Sequence, residues 1–180
     1  IAKLKGCRVV GIVGSDDKCD FVVDSLGAQA CINRKAPDFI EQLREACPDG
    51  IDVYFENVGG KTFAAVLEHL NKNSRISRCG LISQYGNMDG RDPSEVWLET
   101  GQSVFDKQSC GVFPLAVGNF VAEHQDPFLG QMADWLKDGK VKYLEDIRQG
   151  LEYTPSVFRE MLEGGNFGKT MIQVSADPTK

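Results

Sequence analysis

Gly14 and Ser15 close an apolar run, Cys7 to Val13, and Lys18 follows three residues later. An acidic side chain at such a strand end is what holds the free hydroxyls of an adenosine ribose. Gly-Ser places no carboxylate there, and Lys18 can reach back with a positive charge. Arg34, directly after the apolar run Ala30 to Asn33, is expected to approach the same place. Two cations and a hydroxyl suit a phosphate ester, since a guanidinium pairs with its oxygens in a fork. The competing reading is a pair of solvated surface charges, the usual fate of a lysine. Their occurrence at two adjacent strand ends, where α/β sheets gather ligands, favours the 2′-phosphate of NADP(H).

Other candidates stand at later strand ends. Asn57 ends the Ile51–Phe55 run, immediately before Val58-Gly59-Gly60. Its amide both donates and accepts, which suits a ribose hydroxyl or a backbone clamp; equally, it serves only the turn into a helix. Cys79-Gly80 ends another strand, and a glycine there permits close approach of a ligand. Cys79 is either a nucleophile or a small packing residue beside a cofactor; with no histidine nearby, packing is favoured. Tyr85, in Ile82-Ser83-Gln84-Tyr85-Gly86-Asn87, donates a proton, hydrogen-bonds a cofactor, or simply faces solvent. Asn166, in Asn166-Phe167-Gly168-Lys169-Thr170, touches a bound cofactor or makes an ordinary helix-to-strand turn. His69, beside Leu67 and Leu70, reads as structural. Neither it nor His124 has cysteine or acidic neighbours at ligand spacing, so no metal site is expected.

The elements needed to hold these residues alternate. Ile1 to Lys5 reads as the end of a helix stopped by Gly6, followed by a strand from Cys7 to Val13. A helix begins at Asp16 and Asp17, carries Phe21, Val22 and Leu26 inward, and stops at Gly27. A strand at Ala30–Asn33 precedes a helix from Pro37 or Asp38, with Phe39, Ile40, Leu43 and Cys47 on its apolar side. A buried strand, Ile51–Phe55, a helix bearing Phe63, Val66, Leu67 and Leu70, and a strand from Arg75 to Ser83 follow. Residues 84–108 read as polar and turn-rich. Cys110–Val117 reads as a strand and a candidate edge for a homodimer. Phe120 to Asp138 reads as a helix with Phe128, Met132, Trp135 and Leu136 inward. A last helix from Thr154-Pro155 to Glu163 and a strand at Thr170–Val174 close the sheet, before a frayed tail.

This alternation predicts an α/β fold, a Rossmann-like doubly wound parallel sheet covered on both faces, filling residues 1–180 as one domain. Such a fold normally opens with a strand and a glycine-rich turn facing a pyrophosphate. Neither is present, so the expectation is an N-terminal extension supplying that strand, the glycine-rich loop and a substrate domain.

Bulk properties narrow the partners. Twenty basic against 26 acidic residues give a net charge of −6, which disfavours nucleic acid. No apolar run approaches a membrane span. Six cysteines without a CxxC pair, several within apolar runs, point to reduced thiols in a cytoplasmic protein.

Together, Ile1–Gly11, Gly14-Ser15-Asp16-Asp17-Lys18, Tyr54-Phe55-Glu56-Asn57-Val58-Gly59-Gly60, Cys79–Tyr85 and Asn166–Thr170 resemble the zinc-independent medium-chain dehydrogenase/reductases. Within them the chain is most similar to the prostaglandin reductase, alkenal double-bond reductase and curcumin reductase group. The resemblance implies reduction of the C=C bond of an α,β-unsaturated ketone or aldehyde by NADPH. It places Lys18 on the 2′-phosphate, with Gly14 and Ser15 shaping that pocket. It places Asn57 on cofactor backbone or ribose groups and Cys79 near the nicotinamide ribose. Main chain around Phe113 to Leu115 would hold the carboxamide, Asn166 would lie on the pyrophosphate side, and Tyr85 near the nicotinamide. Arg34 stands where relatives often carry a tyrosine, which should preserve NADP preference. A zinc alcohol dehydrogenase of the same superfamily and a non-catalytic NADPH sensor remain open; a methyltransferase would favour an acid where Gly14-Ser15 stands.

Overall fold

The computed structural model describes residues 1–86 and 90–177. Asn87 of the tyrosine loop and the last three residues of the expected tail lie outside them. The strands are all parallel but form three separate ladders among the described residues. In the first, β1 (Val10–Val13) pairs with β2 (Ala30–Asn33). In the second, the order is β3 (Ile51–Glu56), β4 (Leu70–Arg78), β5 (Gly111–Pro114). In the third, β6 (Glu145–Gln149) pairs with β7 (Lys169–Gln173).

Helices make the crossovers. After β1 comes α1 (Asp16–Asp20), which widens into a π turn at Phe21–Ser25 before Gly27. Its close seat on the sheet depends on Gly11, where a Cβ would stand 2.8 Å from both Cys31 Sγ and Val22 Cγ1. Next come α2 (Phe39–Ala46), α3 (Gly60–Leu67) and α4 (Pro93–Gln108). The chain continues through α5 (Gly118–Lys137) and α6 (Thr154–Leu162), the latter connecting β6 to β7. The core lies under the first two ladders. Ile32, Leu43, Phe63, Val66, Ile76, Trp97 and Phe105 are buried together, with the Phe63 and Trp97 rings stacked at 4.4 Å.

Several expectations change. Residues 93–108 are not turn-rich but a 16-residue helix. Asp92 caps it by accepting from Ser94 N at 2.7 Å, Pro93 opens it, and Trp97, Gly101 and Phe105 face inward every fourth residue. β4 begins at Leu70 and ends at Arg78, so Ile82–Gln84 is a 3₁₀ turn instead of strand. Ile1–Lys5 contributes only a 3₁₀ turn, stopped by Gly6 in the left-handed region. β6 was not foreseen, and β7 pairs with it instead of closing the main sheet.

Burial also departs from the pattern. Val53 and Phe55 on β3 are 55% and 58% exposed, because no described element covers that face. Leu26, Ile40, Phe128 and Leu136 are exposed as well, and α5 buries no residue. Among the described residues β1 pairs only with β2, and β3 only with β4, leaving one edge of each without a partner strand.

Candidate functional site

The carboxyl ends of β3, β4 and β5 build one cleft. Glu56, the last residue of β3, is fully buried. Its Oε1 accepts from Val58 N at 2.7 Å, Gly59 N at 2.9 Å and the Tyr54 hydroxyl at 3.3 Å, while Oε2 accepts from the Trp97 indole at 3.2 Å. Backbone and indole donors thus offset the cost of burying the carboxylate. Burial, and then the Glu56 charge, push the Tyr54 hydroxyl well above its ordinary pKa. Glu56 in this way ties the Asn57-Val58-Gly59 turn to strand and helix.

The β4 turn is fastened to the same place. Cys79 N and Gly80 N donate to the Glu56 carbonyl, Ile82 N to Asn57 O, and Ser83 N to Val58 O. Gly59 and Gly60 take positive φ, which lets the two turns approach. Asn57 and Tyr85 converge on Gly80, where a Cβ would lie 2.7 Å from Asn57 Oδ1 and 3.4 Å from the Tyr85 hydroxyl. Arg78, Cys79, Gly80, Tyr85, Ser94 and Leu115 line an open cavity of about 340 Å³ here. Leu115 is fixed by its N–H donating to Arg78 O at 2.9 Å. Cys79 is exposed rather than packed away, and the Phe113 side chain is exposed on β5 without lining the cavity.

A second group gathers at the ends of β1 and β2. The Gly14 Cβ position lies 3.8 Å from an Arg34 Nη and 3.9 Å from Lys35 Cε, so two cations flank this glycine. Asp16, which opens α1, accepts from the Asn33 side-chain amide at 2.8 Å. Ser15 hydrogen-bonds Asp17 and holds that carboxyl below its ordinary pKa. Lys18 points elsewhere: its Nζ donates to Gly164 O at 2.8 Å. The Phe21 and Phe167 rings meet edge to face at 5.7 Å, a second tie between α1 and the loop carrying Asn166. Asn166 itself donates to Gly168 O at 2.9 Å.

The expected residues therefore form two groups, one at β1–β2 and one at β3–β5. Sequence reasoning missed Lys35, Glu56 and Arg78. Lys35 adjoins Arg34, and the Glu-Asn-Val-Gly-Gly run held a visible signal for Glu56. Nothing in the local sequence marked Arg78.

Residues 1–106 match the zinc-binding dehydrogenase family, and the chain belongs to it. Among the described residues no group of three or more His, Cys, Asp or Glu could hold a metal ion. The chain is 42% identical over 177 residues to the NADPH-dependent curcumin reductase of Escherichia coli, covering 98% of this chain and 51% of that protein. It is 37% identical over 174 residues to prostaglandin reductase 1 of Rattus norvegicus, covering 96% and 51%. The structure of CurA from Vibrio vulnificus in complex with NADPH superposes with a TM-score of 0.87 at 42% identity, covering 97% and 52%. These similarities bear out the resemblance carried by the motif series and the Rossmann-like fold. The chain spans about half the length of the curated relatives it matches.

Proposed function

We propose that this chain is the NADP(H)-binding part of a reductase acting on the C=C bond of α,β-unsaturated ketones or aldehydes. The observation that carries the cofactor is Gly14 flanked by Arg34 and Lys35, with Asp16 engaged by Asn33. Two cations beside Gly14, with Asp16 bonded to Asn33 and Asp17 to Ser15, suit a 2′-phosphate better than a bare ribose. The cradle at Gly80, which a Cβ would fill against Asn57, fits the close approach of a flat ring and its ribose.

When bound, NADPH supplies hydride to the β-carbon of the enone, and the resulting enolate takes up a proton. Arg34 and Lys35 hold the adenosine phosphate, with Gly14 and Ser15 leaving room for it. Lys18 anchors the loop that brings Asn166 to the pyrophosphate side. Asn57 holds ribose or cofactor backbone groups, Cys79 borders the nicotinamide ribose, and main chain from Phe113 to Leu115 holds the carboxamide. Tyr85 bonds the nicotinamide end or the enolate oxygen. A preceding segment supplies the glycine-rich loop and substrate walls, and the protein works in the cytoplasm as a homodimer through β5, an outer strand of its ladder.

The relatives named as curcumin and prostaglandin reductases support reductase chemistry of this kind. The test is NADPH oxidation by the full-length protein against a panel of enones, quinones and alcohols. Enone turnover without added metal is expected; zinc-dependent turnover of alcohols alone would overturn the proposal.

A further inference from the structure

Arg78 is the charged group of the cleft to which neither cofactor nor fold gives a task. It ends β4 and lines the cavity beside Cys79, Tyr85 and Leu115. Its guanidinium carbon sits 5.4 Å from the centroid of the Trp97 ring, a cation–π seat on a buried indole. Trp97 is itself held by Glu56, so the seat is rigid. One terminal nitrogen, Nη1, is buried and has no hydrogen-bond partner among the described residues.

Glu56 does not supply that partner. Both its oxygens are engaged, by Val58, Gly59 and Tyr54 on one side and by Trp97 on the other. That nitrogen is closed off from the cavity, so what the cavity lining offers a ligand is the rest of the Arg78 side chain, whose positive charge favours an anionic oxygen. A guanidinium seated 5.4 Å from an aromatic centroid, on a residue that lines a cavity, is suited to recognise a carboxylate or phosphate.

We propose that Arg78 is the anion-binding residue of this cleft, taking a carboxylate or phosphate oxygen of the bound small molecule. This rests on the reading of the cleft as the place where nicotinamide and substrate meet. Two sources carry that chemistry: a carboxylate on the substrate, or a cofactor phosphate beside the nicotinamide ribose.

The experiment uses the full-length protein, wild type, Arg78→Met and Arg78→Lys. Turnover is measured with trans-β-acetylacrylate and with its uncharged methyl ester, and NADPH affinity by calorimetry. For a substrate carboxylate, Arg78→Met lowers kcat/KM for the acid about tenfold, chiefly through KM, while the ester changes less than about twofold. Arg78→Lys restores part of the loss. For a cofactor phosphate, the Kd for NADPH rises about tenfold instead, again with partial rescue by lysine. Equal losses for acid and ester at unchanged NADPH affinity, or no loss in any measurement, would overturn the proposal. Should the wild-type protein reduce neither enone, the reductase reading fails. Calorimetric binding of the acid and of NADPH then decides Arg78 alone: loss in Arg78→Met supports it, and unchanged binding of both overturns it.

Discussion

At the scale of single residues, the distribution of charge separates the roles of three cations. Arg34 and Lys35 flank Gly14, whereas Lys18 spends its ammonium on the Gly164 carbonyl. Arg34→Ala and Lys35→Ala should each weaken NADPH about tenfold and leave NADH affinity unchanged, as calorimetry would show. Equal loss for both cofactors would place these cations outside the phosphate pocket. Glu56 yields a prediction of a different kind. Glu56→Gln replaces an oxygen by an amide donor facing donors already present, so unfolding in urea should show a loss of about 2 kcal/mol. Part of this was legible: the strand ends alone point to Gly14, Arg34 and Asn57, whereas the expected reach of Lys18 toward Gly14 is not what its hydrogen bond to Gly164 shows. Arg78 was not, because its meaning depends on Trp97, which arrives from a helix nineteen residues later.

At the scale of elements, the contact between α1 and the β1–β2 ladder is governed by Gly11. Gly11→Ala would place a methyl 2.8 Å from Cys31 Sγ and Val22 Cγ1, costing about 1–3 kcal/mol through overpacking, measurable by denaturant melts. Behind this contact, burial and the neighbouring Cys19 push the Cys31 thiol up to about 12 from 9.0. The folded state therefore keeps a proton that the unfolded chain releases in the ordinary thiol range. The stability from this group is complete below pH 9.0 and is lost as pH rises toward about 12. Cys31→Ala should flatten the alkaline fall in thermal stability over that window; an unchanged slope would assign the fall elsewhere. The helix α4 shows why some elements were hidden. Its buried positions are only Trp97, Gly101 and Phe105, a single narrow stripe diluted by polar residues. The Asp92-Pro93 start was the readable signal, and the periodicity was too sparse to support it.

At the scale of the molecule, the edges of β1 and β3 that no described strand pairs lead us to propose a further strand between the two ladders, which would take up the backbone hydrogen bonds of both edges. Hydrogen exchange should then be faster at β1 and β3 in this 180-residue chain than in the full-length protein, and identical rates would sink the idea. On that proposal the pyrophosphate loop and substrate walls would come from the added segment, and the isolated chain is expected not to turn over enones. NADPH absorbance with an enone panel checks this, and robust turnover would refute it. Among the described residues no helix is long and apolar enough to cross a membrane.

Residue type and short-range spacing were enough to determine the α/β alternation and the parallel strands, because these follow from local periodicity. Which faces are covered, that β6 and β7 form their own ladder, and that Glu56, Trp97 and Arg78 meet at one cleft were decided only by the tertiary structure. Burial and partner choice are set by elements distant in sequence, and no local pattern records what packs against a given face.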